Sequence, residues 1–168
     1  MKKFTTLIIG LLMALALASS SSLYAQDGDD EDYDSGVAIF VEGLGPGIYG
    51  SINGSFKITN HLAATVGLGY ASGQLGPIQF TVITVPIYAS YLIGKRSHKL
   101  EVLGGVDLAF ITGSLFGYTV SGTTTMPMVG AGYRFWPTKG FHFRATAYYF
   151  ITSNGGQPYF GLSTGASF

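Results

Sequence analysis

"YFGLSTGASF", Tyr159 to Phe168, is the stretch whose reading decides the fold. Phe160, Leu162, Thr164, Ala166 and Phe168 fall on one face of an extended segment, and Tyr159, Gly161, Ser163, Gly165 and Ser167 fall on the other. A period of two marks a β-strand with one apolar face and one small or polar face. Ends of soluble domains are usually polar and loosely held. This strand keeps its pattern to an aromatic last residue, so its apolar side is expected to be covered.

The opposite end of the chain bears on what covers it. Lys2 and Lys3 precede the apolar run "LIIGLLMALALA" (Leu7 to Ala18), and "SSSSLYAQ" brings the small residue Ala25 before Gln26. A charged start, a run too short to span a bilayer and a small residue at the cleavage point make a secretory signal peptide, residues 1–25. The rest, roughly 140 residues, suffices for one domain. Asp27, Asp29, Asp30, Glu31, Asp32 and Asp34 crowd into "QDGDDEDYDSG". Such a block repels itself and cannot bury a core, so 26–36 reads as a disordered periplasmic lead-in. A calcium loop starting at Asp30 would lack its sixth-position glycine and would place Val41 where a bidentate Glu belongs, so no metal is assigned.

Composition narrows the class. There is no cysteine, hence no disulfide framework and no thiol chemistry. Charged residues make up only 11% while aromatics reach 14%, and after Ala25 no apolar stretch approaches the ~18 residues of a transmembrane helix. High hydropathy without a spanning helix leaves an apolar soluble β-protein or a β-barrel that faces lipid.

From Val37 onward two kinds of connection alternate. "ITNH" (Ile58 to His61), "IGKRSH" (Ile93 to His98) and "PTKG" (Pro137 to Gly140) are tight and polar. "GLGPG" (Gly43 to Gly47), "SGQLGP" (Ser72 to Pro77), "TGSLFGYTVSG" (Thr112 to Gly122) and "SNGGQP" (Ser153 to Pro158) are richer in glycine and mostly longer. Transmembrane barrels alternate short periplasmic turns with longer outer loops in this way. Counting back from Phe168 at the periplasmic rim predicts strands at about 37–43, 48–58, 61–71, 79–92, 98–111, 123–136, 141–152 and 159–168. A bend at "GLGPG" would leave seven strands; the even number that an antiparallel barrel requires favours a hairpin there, and eight.

Alternation then sorts the faces. Leu100, Val102, Val106, Leu108 and Phe110 oppose Lys99, Glu101, Leu103 and Asp107; Phe141, Phe143, Ala145 and Tyr149 oppose His142, Arg144, Thr146 and Tyr148. Pro127, Val129, Ala131, Tyr133 and Phe135 oppose Met126, Met128 and Arg134, and only 37–43 is ambiguous, apolar on both sides until Glu42. The charged strand residues Glu42, Lys57, Lys99, Glu101, Asp107, Arg134 and Arg144 all lie opposite the aliphatic face. A soluble sandwich would carry a dense charged surface. A narrow lumen calls instead for few charges of mixed sign that pair, and these seven are the predicted lumenal polar network. Tyr49, Tyr88, Met126, Met128 and Tyr148 are expected to join them. Aromatics gather near the strand ends, with Tyr91, Tyr133, Phe135, Trp136, Phe141 and Phe168 at the inner rim and Tyr70, Tyr149, Phe150, Tyr159 and Phe160 at the outer, as two girdles would.

The terminal strand, the signal peptide and the eight-strand parity together resemble the small outer-membrane β-barrels of Gram-negative bacteria, of the OmpA/OmpX-like class. "VEGLGPGIYGSINGSF", "VPIYASYLIGKRSHKLEVLGGV" and "GAGYRFWP" are similar to strand phrases of an outer-membrane β-barrel group of Bacteroidetes type. The resemblance implies an all-β, closed, antiparallel up-and-down transmembrane barrel of eight strands over 37–168, located in the outer membrane. It also implies that Phe168 is the signal read by the barrel-assembly machinery, with lipid covering its face.

An eight-stranded barrel is just wide enough for its side chains to fill. The expected function is therefore a non-catalytic, monomeric envelope barrel, with outer-membrane lipid as its environment and no cofactor. The alternatives are a narrow channel or carrier for small or apolar solutes, and a lipid-modifying enzyme. Against the last, His61, His98 and His142 lie near predicted periplasmic turns without an evident Ser and acid partner. Lys and Arg are few and scattered, so no nucleic-acid surface is expected.

Overall fold

The computed structural model describes residues 36–115, 118–152 and 155–168. Alternating residues along these segments form β1 (Val37–Gly43), β2 (Gly50–Lys57), β3 (Leu62–Leu75), β4 (Ile78–Ile93), β5 (His98–Leu115), β6 (Tyr118–Phe135), β7 (Gly140–Thr152) and β8 (Gly155–Ser167). Each strand pairs with the next, β8 pairs antiparallel with β1, and the sheet closes into a barrel. Closure leaves no sheet edge around the wall and so satisfies backbone groups that lipid could not. The expected signal peptide, and all of the acidic lead-in except Gly36, lie outside the described residues.

"GLGPG" is a hairpin. Gly43 pairs with Gly50, and the Ile48 N–H donates to the Gly45 carbonyl at 3.0 Å. Leu44 and Ile48 take the left-handed conformation to make the turn, with φ of 63° and 64°. The number of strands is therefore eight.

Register sets the stagger of the barrel. A row of opposed residues runs from His142 through Gly165, Phe40 and Asn53 to Gly67; the flanking Val66–Ile87 and Gly69–Thr84 pairs carry it on to Pro86, and it continues through Asp107 to Met126. The Met128–Phe150 pairing carries it back to β7 at Thr152, ten residues above its start. With the ordinary rise and spacing of strands, a shear of ten over eight strands tilts them by about 40° and gives a radius of about 8 Å. All nine residues of the row face inward.

The glycine- and threonine-rich outer connections are shorter than expected, because the strands run on through them. β3 and β4 pair up to Leu75 and Ile78, and β5 and β6 up to Leu115 and Tyr118, so most of Ser72–Pro77 and Thr112–Gly122 is ladder. β8 likewise begins at Gly155, within the expected Ser153–Pro158 loop. Pairing of β6 with β7 starts only at Met128, while β5 and β6 are 18 residues each against 7 and 8 for β1 and β2. The β3–β6 sheet thus projects beyond the rest of the wall. Its upper residues were unreadable as strand because threonine and glycine mark loops as readily as two-sided exposed ladder.

Facing follows parity wherever one side of the wall is buried. On β8, Phe160 and Leu162 are 70% and 61% exposed while Ser163 is 2%. β1, apolar on both sides, turns Ala38, Phe40 and Glu42 inward and Ile39 outward. Ile39, Ile52, Val66, Leu68, Ile87, Leu100, Val102 and Val129 form an exposed belt around the wall. Most expected girdle aromatics lie on this outer face, among them Tyr70, Tyr91, Tyr133, Phe141, Tyr149, Tyr159 and Phe168.

Three aromatic assignments change. Trp136 (1% exposed) and Phe150 (4%) point into the lumen and belong to no girdle, because each shares parity with an inward neighbour, Arg134 and Tyr148. Tyr49, expected in the lumen, sits in the β1–β2 turn and is 66% exposed.

Candidate functional site: a charged layer across the lumen

Arg134 on β6 and Arg144 on β7 stand directly opposite each other in the ladder. Two cations so placed repel, and a fully buried pair without counter-ions would be prohibitive. Glu101, reaching over from β5, takes both. Arg134 Nη1 donates to Oε1 at 3.1 Å and Arg144 Nε donates to Oε2 at 2.5 Å. Each carboxylate oxygen thus serves one guanidinium.

A second carboxylate arrives from the other side of the barrel. Glu42 on β1 accepts from Arg144 Nη1 at 3.3 Å and from the Tyr148 hydroxyl at 2.7 Å. It reaches across β8 because Gly161 stands between; a Cβ there would collide with Glu42 Oε1. Arg144 Nη1 also donates to the Tyr88 and Tyr148 hydroxyls at 2.9 and 2.6 Å. Strands β1, β4, β5, β6 and β7 are thereby tied together across the lumen, and the four charged side chains are wholly buried.

The arginines are also packed on π faces. Arg134 lies 3.8 Å from the Trp136 ring centroid, and Arg144 lies 5.1 Å from that of Tyr88, both within cation–π range. His142, stacked on Phe40 at 4.9 Å, accepts from Arg134 Nε through Nε2 at 3.0 Å, so that nitrogen carries no proton. Sequence reasoning placed His142 on the inward face but missed its part in the network. The signal was its parity with Arg144, two residues on.

Of the seven residues predicted to form the network, the structure brings together Glu42, Glu101, Arg134 and Arg144. Lys57 and Lys99 lie at the rim below it. Lys57 Nζ sits 5.0 Å from the Trp136 ring centroid, and Lys99 donates to the Gly94 carbonyl at 3.0 Å. Asp107 stands higher in the lumen, wholly buried, and neither carboxyl oxygen meets a hydrogen-bond partner among the described residues. The expectation that every lumenal charge pairs is therefore wrong at Asp107. Its ladder neighbours, Pro86 and Met126, offer no side-chain donor. Phe168, the predicted assembly signal, is exposed on the outer wall and closes the β1–β8 seam, exchanging backbone hydrogen bonds with Val37 at 2.8 and 3.2 Å.

Apolar clusters bracket the charged layer. Ala38, Phe40, Ala63, Leu92 and Trp136 close the end that holds the chain entry, and Tyr88, Leu103, Met128, Tyr148 and Phe150 pack above. A third cluster, Ala71, Val82 and Ala109 with Phe80 and Met126, lies higher still. Among the described residues no three His, Cys, Asp or Glu side chains group as a metal site.

Charge inside, an aliphatic belt outside and eight closed antiparallel strands define the up-and-down transmembrane β-barrel class. Solved structures with this fold include the N-terminal β-barrel domain of Pseudomonas aeruginosa OprF, with a TM-score of 0.62, 17% identity and coverage of 82% of this chain and 100% of that one. They also include Ail, the attachment invasion locus protein of Yersinia pestis, solved in complex with the heparin analogue sucrose octasulfate. Its TM-score is 0.57 at 15% identity, covering 80% of this chain and 99% of that one. No family model and no curated protein sequence matches the chain.

Proposed function

We propose that this chain is an integral outer-membrane β-barrel whose lumen is sealed by its own side chains and whose role in the envelope is structural and non-catalytic. The observation that carries the reading is the layer made by Glu42, Glu101, Arg134 and Arg144, held between apolar clusters. A solute crossing the lumen has to part ion pairs whose side chains are wholly buried, and removing one partner of a buried pair costs about 3–5 kcal/mol. The exposed aliphatic belt supports lipid as the surrounding medium. The reading includes export through a cleaved signal peptide, insertion by the barrel-assembly machinery with Phe168 as the signal, and a monomer in the membrane.

A lipid-modifying role has little to build on. His142 is committed to Arg134, and His98 is engaged with the Tyr133 hydroxyl at the rim. Two experiments test the proposal. The membrane fraction, run on an SDS gel unheated and boiled, is expected to show a shift; recovery in the soluble fraction without one refutes the lipid-facing wall. Purified barrel in planar bilayers is expected to give no stepwise current, and stable openings would overturn the sealed lumen in favour of a narrow channel.

A further inference from the structure

The lumen buries more negative charge than its ion pairs use. Among the described residues the buried carboxylates are Glu42, Glu101 and Asp107, and the buried guanidiniums are Arg134 and Arg144, none more than 2% exposed. Glu42 and Glu101 offset the two arginines, so Asp107 leaves the lumen one negative charge in excess. A buried carboxylate is costly unless it is paired or hydrogen-bonded. Neither oxygen of Asp107 has a hydrogen-bond partner among the described residues.

A second uncommitted oxygen stands beside it. Pro86 pairs with Asp107 and Thr84 with Ala109, so Thr84 and Asp107 are diagonal neighbours on the inward face of β4 and β5. Diagonal neighbours are about 7–8 Å apart, within reach of both side chains. Thr84 Oγ1 is buried and also lacks a hydrogen-bond partner among the described residues. The hydroxyl and the carboxylate therefore share one face without bonding to each other. A hydrogen bond closes only at about 3 Å. A hard cation, about 2.3–2.6 Å from each oxygen, bridges oxygens about 5 Å apart.

The β1–β2 turn brings a third oxygen. Gly45, Pro46 and Gly47 are buried while Leu44, Ile48 and Tyr49 are exposed, so the turn folds its middle into the lumen. The Gly47 carbonyl oxygen lies 3.3 Å from the point that a Cβ on Gly69 would occupy, and Thr84 Oγ1 lies closer still to the same point. That carbonyl accepts from the Gly50 N–H at 3.2 Å and keeps a second lone pair.

We propose that Asp107, Thr84 and the Gly47 carbonyl hold an alkali metal ion above the charged layer. All three ligands are oxygen, which suits hard cations rather than the softer transition metals. The excess of one carboxylate calls for a single positive charge. The ion pins the inward turn to β4 and β5 and closes the lumen a second time, above the ion pairs. Its loss would leave the charged layer as it is, so this site and the sealed lumen fail separately.

The protein, purified from membranes and unfolded in urea, would be refolded into phospholipid vesicles in choline chloride, whose cation is too large for the site. NaCl or KCl then replaces choline chloride at constant ionic strength, with EDTA present throughout to remove divalent ions. An ion that binds only the folded state, at ten times its dissociation constant, raises the urea midpoint by about 0.7 M at an ordinary slope. A saturable rise of that order is expected in one of the two salts. Asp107→Asn, which removes the charge and keeps the shape, should unfold at one midpoint in all three salts. Thr84→Val should need more of the ion for the same rise. A wild-type midpoint equal in all three salts would overturn the proposal and leave a proton to neutralise Asp107. An equal rise in Asp107→Asn would overturn it too, placing the ion elsewhere.

Discussion

Replacing Glu101 by alanine leaves Arg134 and Arg144 face to face across the β6–β7 ladder, buried, with only Glu42 remaining and only on the Arg144 side. Among the described residues the Arg134 side chain then keeps one hydrogen-bond partner, the His142 ring nitrogen. Removing one member of a buried ion pair typically costs about 3–5 kcal/mol, most of it the burial of the charge left behind. Two guanidiniums are stranded here, which argues for the upper part of that range. With a urea slope of about 2 kcal/mol/M, a loss of about 4 kcal/mol lowers the unfolding midpoint by about 2 M. The assay is urea unfolding of the barrel in phospholipid vesicles, followed by the fluorescence of Trp136, the only tryptophan, whose ring touches Arg134. The variant Glu42→Gln/Glu101→Leu/Arg134→Met/Arg144→Met strands no charge and is expected to unfold nearer the wild type than Glu101→Ala does, since apolar replacement of a whole buried network is often neutral. A Glu101→Ala midpoint within about 0.3 M of wild type, under 1 kcal/mol at that slope, would refute the reasoning.

The remaining predictions address the wall. Val102→Arg, on the outer belt, is expected to cost about 2–4 kcal/mol in vesicles if the belt lies in hydrocarbon; an unchanged urea midpoint would argue for water against that face. Gly132→Ala would drive a Cβ into the Ala145 carbonyl, whereas Gly54 has open space around its position, so only the first should abolish the heat-modifiable band on a gel. Phe168→Ala should leave refolding in vesicles almost unchanged, because its seam hydrogen bonds come from the backbone. In cells the same variant should lower the yield of folded barrel in the membrane, and equal yields would remove Phe168 as an assembly signal.

The class, the number of strands and the facing of most residues are legible in the sequence, because strand facing is a local property with a period of two. Ser163 in and Leu162 out, Arg144 in and Phe143 out, follow from neighbours alone. The aromatics Trp136 and Phe150 show what happens when residue type is read ahead of parity: each looks like a girdle residue, yet each shares the face of an inward neighbour. The upper halves of β5 and β6 were hidden for a different reason, since none of the described residues among 112–114 and 118–122 is buried to impose alternation.

Which charges meet was decided only by the tertiary structure. Glu42 and Arg144 are 102 residues apart, and their contact depends on a stagger of ten accumulated around eight strands, together with the gap left at Gly161. A slip of two residues in one pairing would keep every residue on its face and still separate them. The same stagger leaves Asp107 opposite Pro86 and Met126, with no hydrogen-bond partner for its carboxyl group among the described residues, although nothing in its own segment distinguishes it from Glu101. Alternation assigns each side chain to lipid or lumen; the register summed around the closed sheet assigns it a height and a partner, and no local pattern encodes that sum.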